Sequence, residues 1–173
     1  MGQPKALVIG ADGRPWLHTA IDALRDGGCD HILVVLGAAA QQAERLIAEL
    51  AVTTVVAEDW EQGMSASLQA GLSEARRLER EFGAVAISLV DLPDVDSRVV
   101  ARVLDKVGTD PTALGRAVYD GSPGHPVVIG ADHIAGVLET LDGDRGARHY
   151  LREMGLTLVE CSDLATGADV DSR

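Results

Sequence analysis

The sequence is short of basic residues, of aromatics and of cysteine, and each shortage closes off a class of function. Fifteen Lys and Arg stand against 27 Asp and Glu, a formal charge of −12. A field of that sign repels polyphosphate backbones, so nucleic acid is not an expected partner. One Phe, two Tyr and two Trp leave little surface for stacking single-stranded bases. The two cysteines, Cys29 and Cys161, form no CxxC and no metal-ligand spacing. They read as reduced thiols in a reducing compartment. No apolar run approaches the ~18 residues of a membrane span. The first run, residues 6–10, is followed at once by Asp12 and Arg14, unlike a signal peptide. The expectation is a cytoplasmic protein with no membrane partner. What is present is ordinary for a folded chain: 46% apolar and 24% charged residues argue against disorder. A length of 173 residues suits one domain of about 100–200 residues.

Short β-branched runs alternate with segments of helical period. Residues 31–36, 53–57 and 84–90 read as buried strands, with helices predicted over 16–26, 41–50 and 65–79. Beyond Asp91 the pattern loosens. It predicts helices over 98–107, 134–140 and 145–154, and strands over 114–119, 126–129 and 156–160. The strands at 114–119 and 126–129 flank a Gly/Pro-rich loop, Gly121-Ser122-Pro123-Gly124. Strand–helix alternation with nearly continuous apolar strands implies an α/β fold: a Rossmann-like, doubly wound, mostly parallel sheet with helices on both faces. Ligands of such sheets sit beyond the carboxyl ends of the strands.

Five segments could carry chemistry there. Met1-Gly2-Gln3-Pro4-Lys5 holds an ammonium on a constrained turn, where it can meet a phosphate as a point charge or simply be a solvated flank. Gly63-Met64-Ser65-Ala66-Ser67-Leu68 follows a strand; Gly63 permits close backbone approach, and Ser65 and Ser67 can cap the next helix. That helix start could meet a nucleotide or be an ordinary cap. Asp91-Leu92-Pro93 ends a buried strand with a carboxylate able to hold Mg²⁺, or able merely to shape a turn, while Asp94 and Asp96 suit a turn and cap. Asp169-Val170-Asp171 could supply a second metal carboxylate, Asp171 the better placed, or be a solvated tail. Gly124-His125-Pro126 and Gly143-Asp144-Arg145-Gly146-Ala147-Arg148 suggest a shaped rim in which an arginine clamps an anion. No GxSxG, HExxH, Walker A or Cys–His pair occurs, and Gly10-Ala11-Asp12-Gly13 is not GxGxxG, which argues against dinucleotide binding.

Together these segments resemble the nucleotidyltransferases that attach CMP or GMP to molybdopterin, the molybdenum-cofactor cytidylyltransferase-like family. Residues 1–5 look like the M-G-x-P-K end of its phosphate loop, and 63–68 like its G-M-x-x-S-L segment near base and ribose. Asp91-Leu92-Pro93 looks like its D-x-P metal site, and Asp169-Val170-Asp171-Ser172 like its D-I-D-T element. The resemblance implies Mg²⁺ on Asp91 and Asp171. Gly2, Lys5, Gly63, Met64, Ser65 and Ser67 would bind the nucleotide, with Lys5 and Asp91 catalytic. His125, Asp144 and Arg145 would hold the acceptor. It implies CTP or GTP and a molybdopterin-type acceptor as substrates, and a molybdoenzyme or maturation protein as a partner.

The family's opening strand and its L-A-A-G-x-S-x-R loop would precede Met1, so the single nucleotidyltransferase-like domain spanning 1–173 reads as N-terminally incomplete. Two further explanations stay open: residues 6–10 replace that strand in a smaller sheet, or the protein is a catalytically dead relative. The implied reaction is attack of the acceptor's phosphate on the α-phosphorus, with pyrophosphate leaving. The alternative is a non-catalytic nucleotide or molybdopterin carrier on the same scaffold. A sugar-1-phosphate nucleotidyltransferase is disfavoured, because the chain leaves little room for a sugar-binding extension.

Overall fold

The apolar runs form strands that end sooner than the runs themselves. A computed structural model describes residues 3–78, 82–143 and 146–170. In chain order the elements are α1 (Trp16–Asp26), β1 (Leu33–Leu36), α2 (Ala40–Ile47), β2 (Thr53–Val56), α3 (Met64–Arg77), β3 (Ala84–Ile87) and α4 (Ser97–Val107). Then follow β4 (Leu114–Tyr119), β5 (Ser122–Gly130), α5 (Ile134–Thr140), α6 (Arg148–Met154) and β6 (Thr157–Glu160).

The fold is α/β with a mostly parallel arrangement of strands. β1 and β2 pair in parallel, with Leu33 opposite Thr53. The other four strands are ordered β3-β5-β4-β6. There β4 and β6 are parallel, and β5 alone runs against both of its neighbours. Helices cover both faces, and strand alternation sorts the core accordingly. Ala84 and Ala86 point to the side of α4, where Val95, Val99 and Val103 pack with Val128 and Val159. Val85 and Ile87 point the other way, to Leu72 of α3, Ile134 and Val137 of α5 and Leu151 of α6. A third cluster wraps β1, with Leu17 and Ile21 of α1 and Ala43 and Ile47 of α2 against Val34 and Leu36.

Two expectations are corrected. Residues 6–10 do not replace a strand: Lys5–Leu7 is a 3₁₀ turn, and only one isolated bridge, Ile9 to Pro15, follows it. The loop expected at 121–124 is a two-residue hairpin turn. Asp120 and Gly121 take φ of 49° and 77°, the positive-φ pair that matches strand twist, and β5 starts at Ser122.

Candidate functional site

Asp91 is the centre. It lies four residues beyond β3, is 7% exposed, and its carboxylate pairs with the Lys5 ammonium. Pro4 sets the entry to the 3₁₀ turn that carries Lys5, and the Leu7 N–H closes that turn onto the Pro4 carbonyl at 2.9 Å. The C-terminal segment arrives from the other side: the Val170 N–H donates to the Asp91 carbonyl at 3.0 Å. Residues remote in sequence therefore meet at Asp91, Lys5 at its carboxylate and Val170 at its main-chain carbonyl.

The Gly124-His125-Pro126 segment lies within electrostatic reach of Asp91. His125 lies on β5, where Arg116 of β4 donates from Nε and Nη2 to the Gly124 carbonyl at 3.0 and 2.7 Å. The Tyr119 hydroxyl donates to the His125 carbonyl at 2.7 Å. Burial pushes the His125 imidazole down to about 4, and the Arg116 and Arg148 guanidiniums add to it while Asp91 opposes. Burial, and Arg148 after it, also pulls Arg116 down from the usual guanidinium range. A neutral imidazole, two guanidiniums and the Asp91 carboxylate thus act on one another electrostatically.

A second group forms at the start of α3. Gly63 sits at φ 111°, and no side chain caps the helix there. Ser65 and Ser67 therefore do not cap α3 but lie inside its first turns. Ser65 is buried, and its hydroxyl accepts from the Gly146 N–H at 3.2 Å. A Cβ on Gly146 would lie 3.8 Å from the Met64 sulfur, so Met64, Ser65 and the glycine loop are neighbours. Ser67 is half-buried on the same helix, with no hydrogen bond bringing it to either group. The stretch 146–148 relates the two groups, Gly146 bonding to Ser65 and Arg148 acting on Arg116 electrostatically. Gly2, Asp144, Arg145 and Asp171 lie outside the described residues.

Asp96 caps α4 as expected, accepting from the Arg98 N–H at 2.9 Å. Asp94 lies, as expected, in the turn that the Val95 N–H closes onto the Leu92 carbonyl at 3.1 Å, and its carboxylate also reaches across to Thr166. The sequence motifs mark neither Arg116 nor Tyr119, whose bonds to Gly124 and His125 form only once β4 and β5 pair, nor the reach of Asp94 across 72 positions to Thr166. The one available signal was Arg116, a lone charge inside an apolar strand.

These features define a class first: an α/β domain that gathers a carboxylate, an ammonium and guanidiniums around the loops that follow its strands. The particular family follows from comparison. The chain belongs to the MobA-like NTP transferase domain family, which residues 1–158 match. It is 35% identical over 178 residues to the nicotine blue oxidoreductase of Paenarthrobacter nicotinovorans, covering 98% of this chain and 84% of that protein. Rv0371c from Mycobacterium tuberculosis, solved in complex with manganese, is 25% identical with a TM-score of 0.72, over 91% of this chain and 80% of that one. A nucleotidyl transferase from Methanothermobacter thermautotroptrophicus, Mth528, shares the fold at 21% identity and a TM-score of 0.74, over 91% of this chain and 74% of that one. The family makes this a nucleotidyltransferase-like enzyme. Among the described residues, no helix is long and apolar enough to cross a membrane.

Proposed function

We propose that the 173 residues act as one cytoplasmic domain that transfers CMP or GMP from CTP or GTP to a phosphorylated acceptor of the molybdopterin type. The acceptor's terminal phosphate oxygen bonds to the α-phosphorus, the bond from that phosphorus to the bridging oxygen breaks, and pyrophosphate leaves with the electron pair. Phosphate is already nucleophilic at neutral pH, so no general base is needed. The barrier lies in bringing two polyanions into line.

The observation that carries this reading is the meeting of Lys5, Asp91 and Val170. Lys5 would leave Asp91 for the incoming phosphates. Asp91 and Asp171, the residue after Val170, would hold Mg²⁺, their hard oxygen donors suiting that ion or manganese. Bound there, the ion would supply positive charge between the two anions. Gly63, Met64, Ser65, Ser67 and Gly2 would seat the nucleoside and phosphates. Neutral His125, with Asp144 and Arg145, would seat the acceptor. Delivery of the product to a molybdoenzyme or maturation protein completes the reading. The manganese complex of Rv0371c supports a divalent ion in a relative.

The test is pyrophosphate release from CTP or GTP with Mg²⁺ and acceptor. The Asp91→Ala variant is expected to lose several orders of magnitude in turnover with its circular dichroism unchanged; near wild-type turnover would overturn the metal role. Nucleotide binding without release favours the carrier alternative. A redox reading rests on the name of the Paenarthrobacter relative. Such a reading takes the two electrons for each substrate molecule from a supplied external reductant. Reduction of nicotine blue by a supplied reductant, without pyrophosphate release, would replace the transfer reading.

A further inference from the structure

Between β6 and Val170 the chain runs as a strap without helix or strand, and it is fastened at points that the reaction outlined above does not use. Cys161, wholly buried, starts it by donating its N–H to the Val118 carbonyl at 2.9 Å. Thr166 then donates twice to one oxygen of Asp94, from its N–H at 2.7 Å and its hydroxyl at 2.6 Å. Gly167, at φ 62°, lies so close to the Tyr119 ring that a Cβ would come within 2.2 Å of Cδ2. Gly124 presses on the same ring edge, its Cβ position 2.4 Å from Cε2. The strap ends at the Asp91 carbonyl, through the Val170 N–H.

Tyr119 thus touches both sides of the candidate site. Its ring edge meets the strap and Gly124, and its hydroxyl holds the His125 carbonyl. Asp94 is the strap's polar fastening, and it is an expensive one. Its second oxygen, Oδ1, is buried with no hydrogen-bond partner among the described residues. A buried acceptor without a donor lowers stability. A carboxylate kept at a cost three residues from Asp91 points to the site rather than to the fold.

We propose that Asp94 and Tyr119 are positioning residues: Asp94 docks the strap so that the segment through Val170 is held at Asp91, and Tyr119 sets the Gly124–His125 stretch of β5 against it. This deepens the transfer reading and rests on it for the purpose of the docking, while the docking itself is separately measurable.

The experiment is amide hydrogen exchange on the full chain, paired with Mn²⁺ titration followed by electron paramagnetic resonance. Asp94→Ala is expected to speed exchange at Thr166 and Val170 at least tenfold and to weaken Mn²⁺ binding about 10–100-fold, the usual effect of losing a group that orients a ligand. Asp94→Asn, whose amide oxygen can still accept from Thr166, should retain most strap protection and most Mn²⁺ affinity. Tyr119→Phe keeps the ring and loses the hydroxyl, so it should raise the KM for acceptor several-fold and leave the KM for CTP or GTP and the strap's exchange unchanged. Unaltered strap protection in Asp94→Ala overturns the docking. A loosened strap with unchanged Mn²⁺ affinity overturns its purpose. Equal effects of Tyr119→Phe on both KM values overturn the role of Tyr119. Wild-type protein that binds no Mn²⁺ sinks the metal reading itself, and the exchange result then still decides the docking.

Discussion

His125 illustrates how a single side chain takes its chemistry from its neighbours. In an unfolded chain its imidazole titrates near 6.5; in the fold, burial and two guanidiniums bring it down to about 4. Between those values the unfolded chain binds the proton that the folded one refuses. Acid therefore destabilises the fold progressively as pH falls from about 6.5 towards 4, and stability is regained as pH rises through that window. His125→Gln is expected to flatten this part of the Tm–pH curve, measured by thermal melts at half-unit steps. An unchanged slope would mean that His125 is not held neutral. Asp91 makes the complementary point: at 7% exposure a carboxylate needs a partner, and Lys5 provides it from the far end of the chain.

At the scale of elements, close approach decides what a position tolerates. α1 ends at Gly27 beside α4, where an added Cβ would lie 2.5 Å from the Val100 Cβ. Gly27→Ala should destabilise the protein by about 1–3 kcal/mol through overpacking. Val100→Ala in the same chain should recover part of that loss, because it removes Cγ1, 2.6 Å from the added carbon, while the Cβ contact stays. Urea melts of the two single variants and the double variant measure the coupling; strict additivity would show that the helices separate there instead of clashing. The β4–β5 hairpin is similarly constrained. Its Asp120-Gly121 turn donates two N–H groups to the Glu160 carboxylate at 3.1 and 3.3 Å, tying the hairpin tip to β6. Bonds from the Ser162 N–H first, and from this turn as well, hold that carboxyl below the usual carboxylate range.

Across the whole molecule, helices connect what strand pairing leaves apart. β1 and β2 form one sheet, and the other four strands form another. α3 serves both through adjacent residues. Gly71 admits Val35 of β1, since a Cβ there would come within 2.8 Å of its Cγ2, and Leu72 fills the cluster against β3, β4 and β5. The pairing of α1 with α4 makes the second connection. Leu72→Ala should cost about 2–5 kcal/mol by leaving a cavity in this shared helix. Because α3 also carries Met64 and Ser65, the same variant should weaken nucleotide binding, which calorimetry with CTP or GTP would measure. Full retention of affinity would separate the helix's packing from the site.

Local patterns determined much of this protein. Apolar periodicity places α1 and β4 at their observed ends and marks the α/β alternation, and Gly and Pro spacing marks the segments around Asp91, Gly63 and His125. These features are legible because they depend on neighbours a few residues away. The antiparallel course of β5 is local too, set by the Asp120-Gly121 hairpin turn. Tertiary structure alone decided the separation of the strands into two sheets and the replacement of a Ser65 cap by a bond to Gly146. It alone brought Lys5 to Asp91, Asp94 to Thr166, and Tyr119 between the two glycines. Apart from Tyr119 with Gly124, those contacts join residues tens of positions apart. No local period encodes such distances; they follow from which faces must be buried together once the strands and helices have formed.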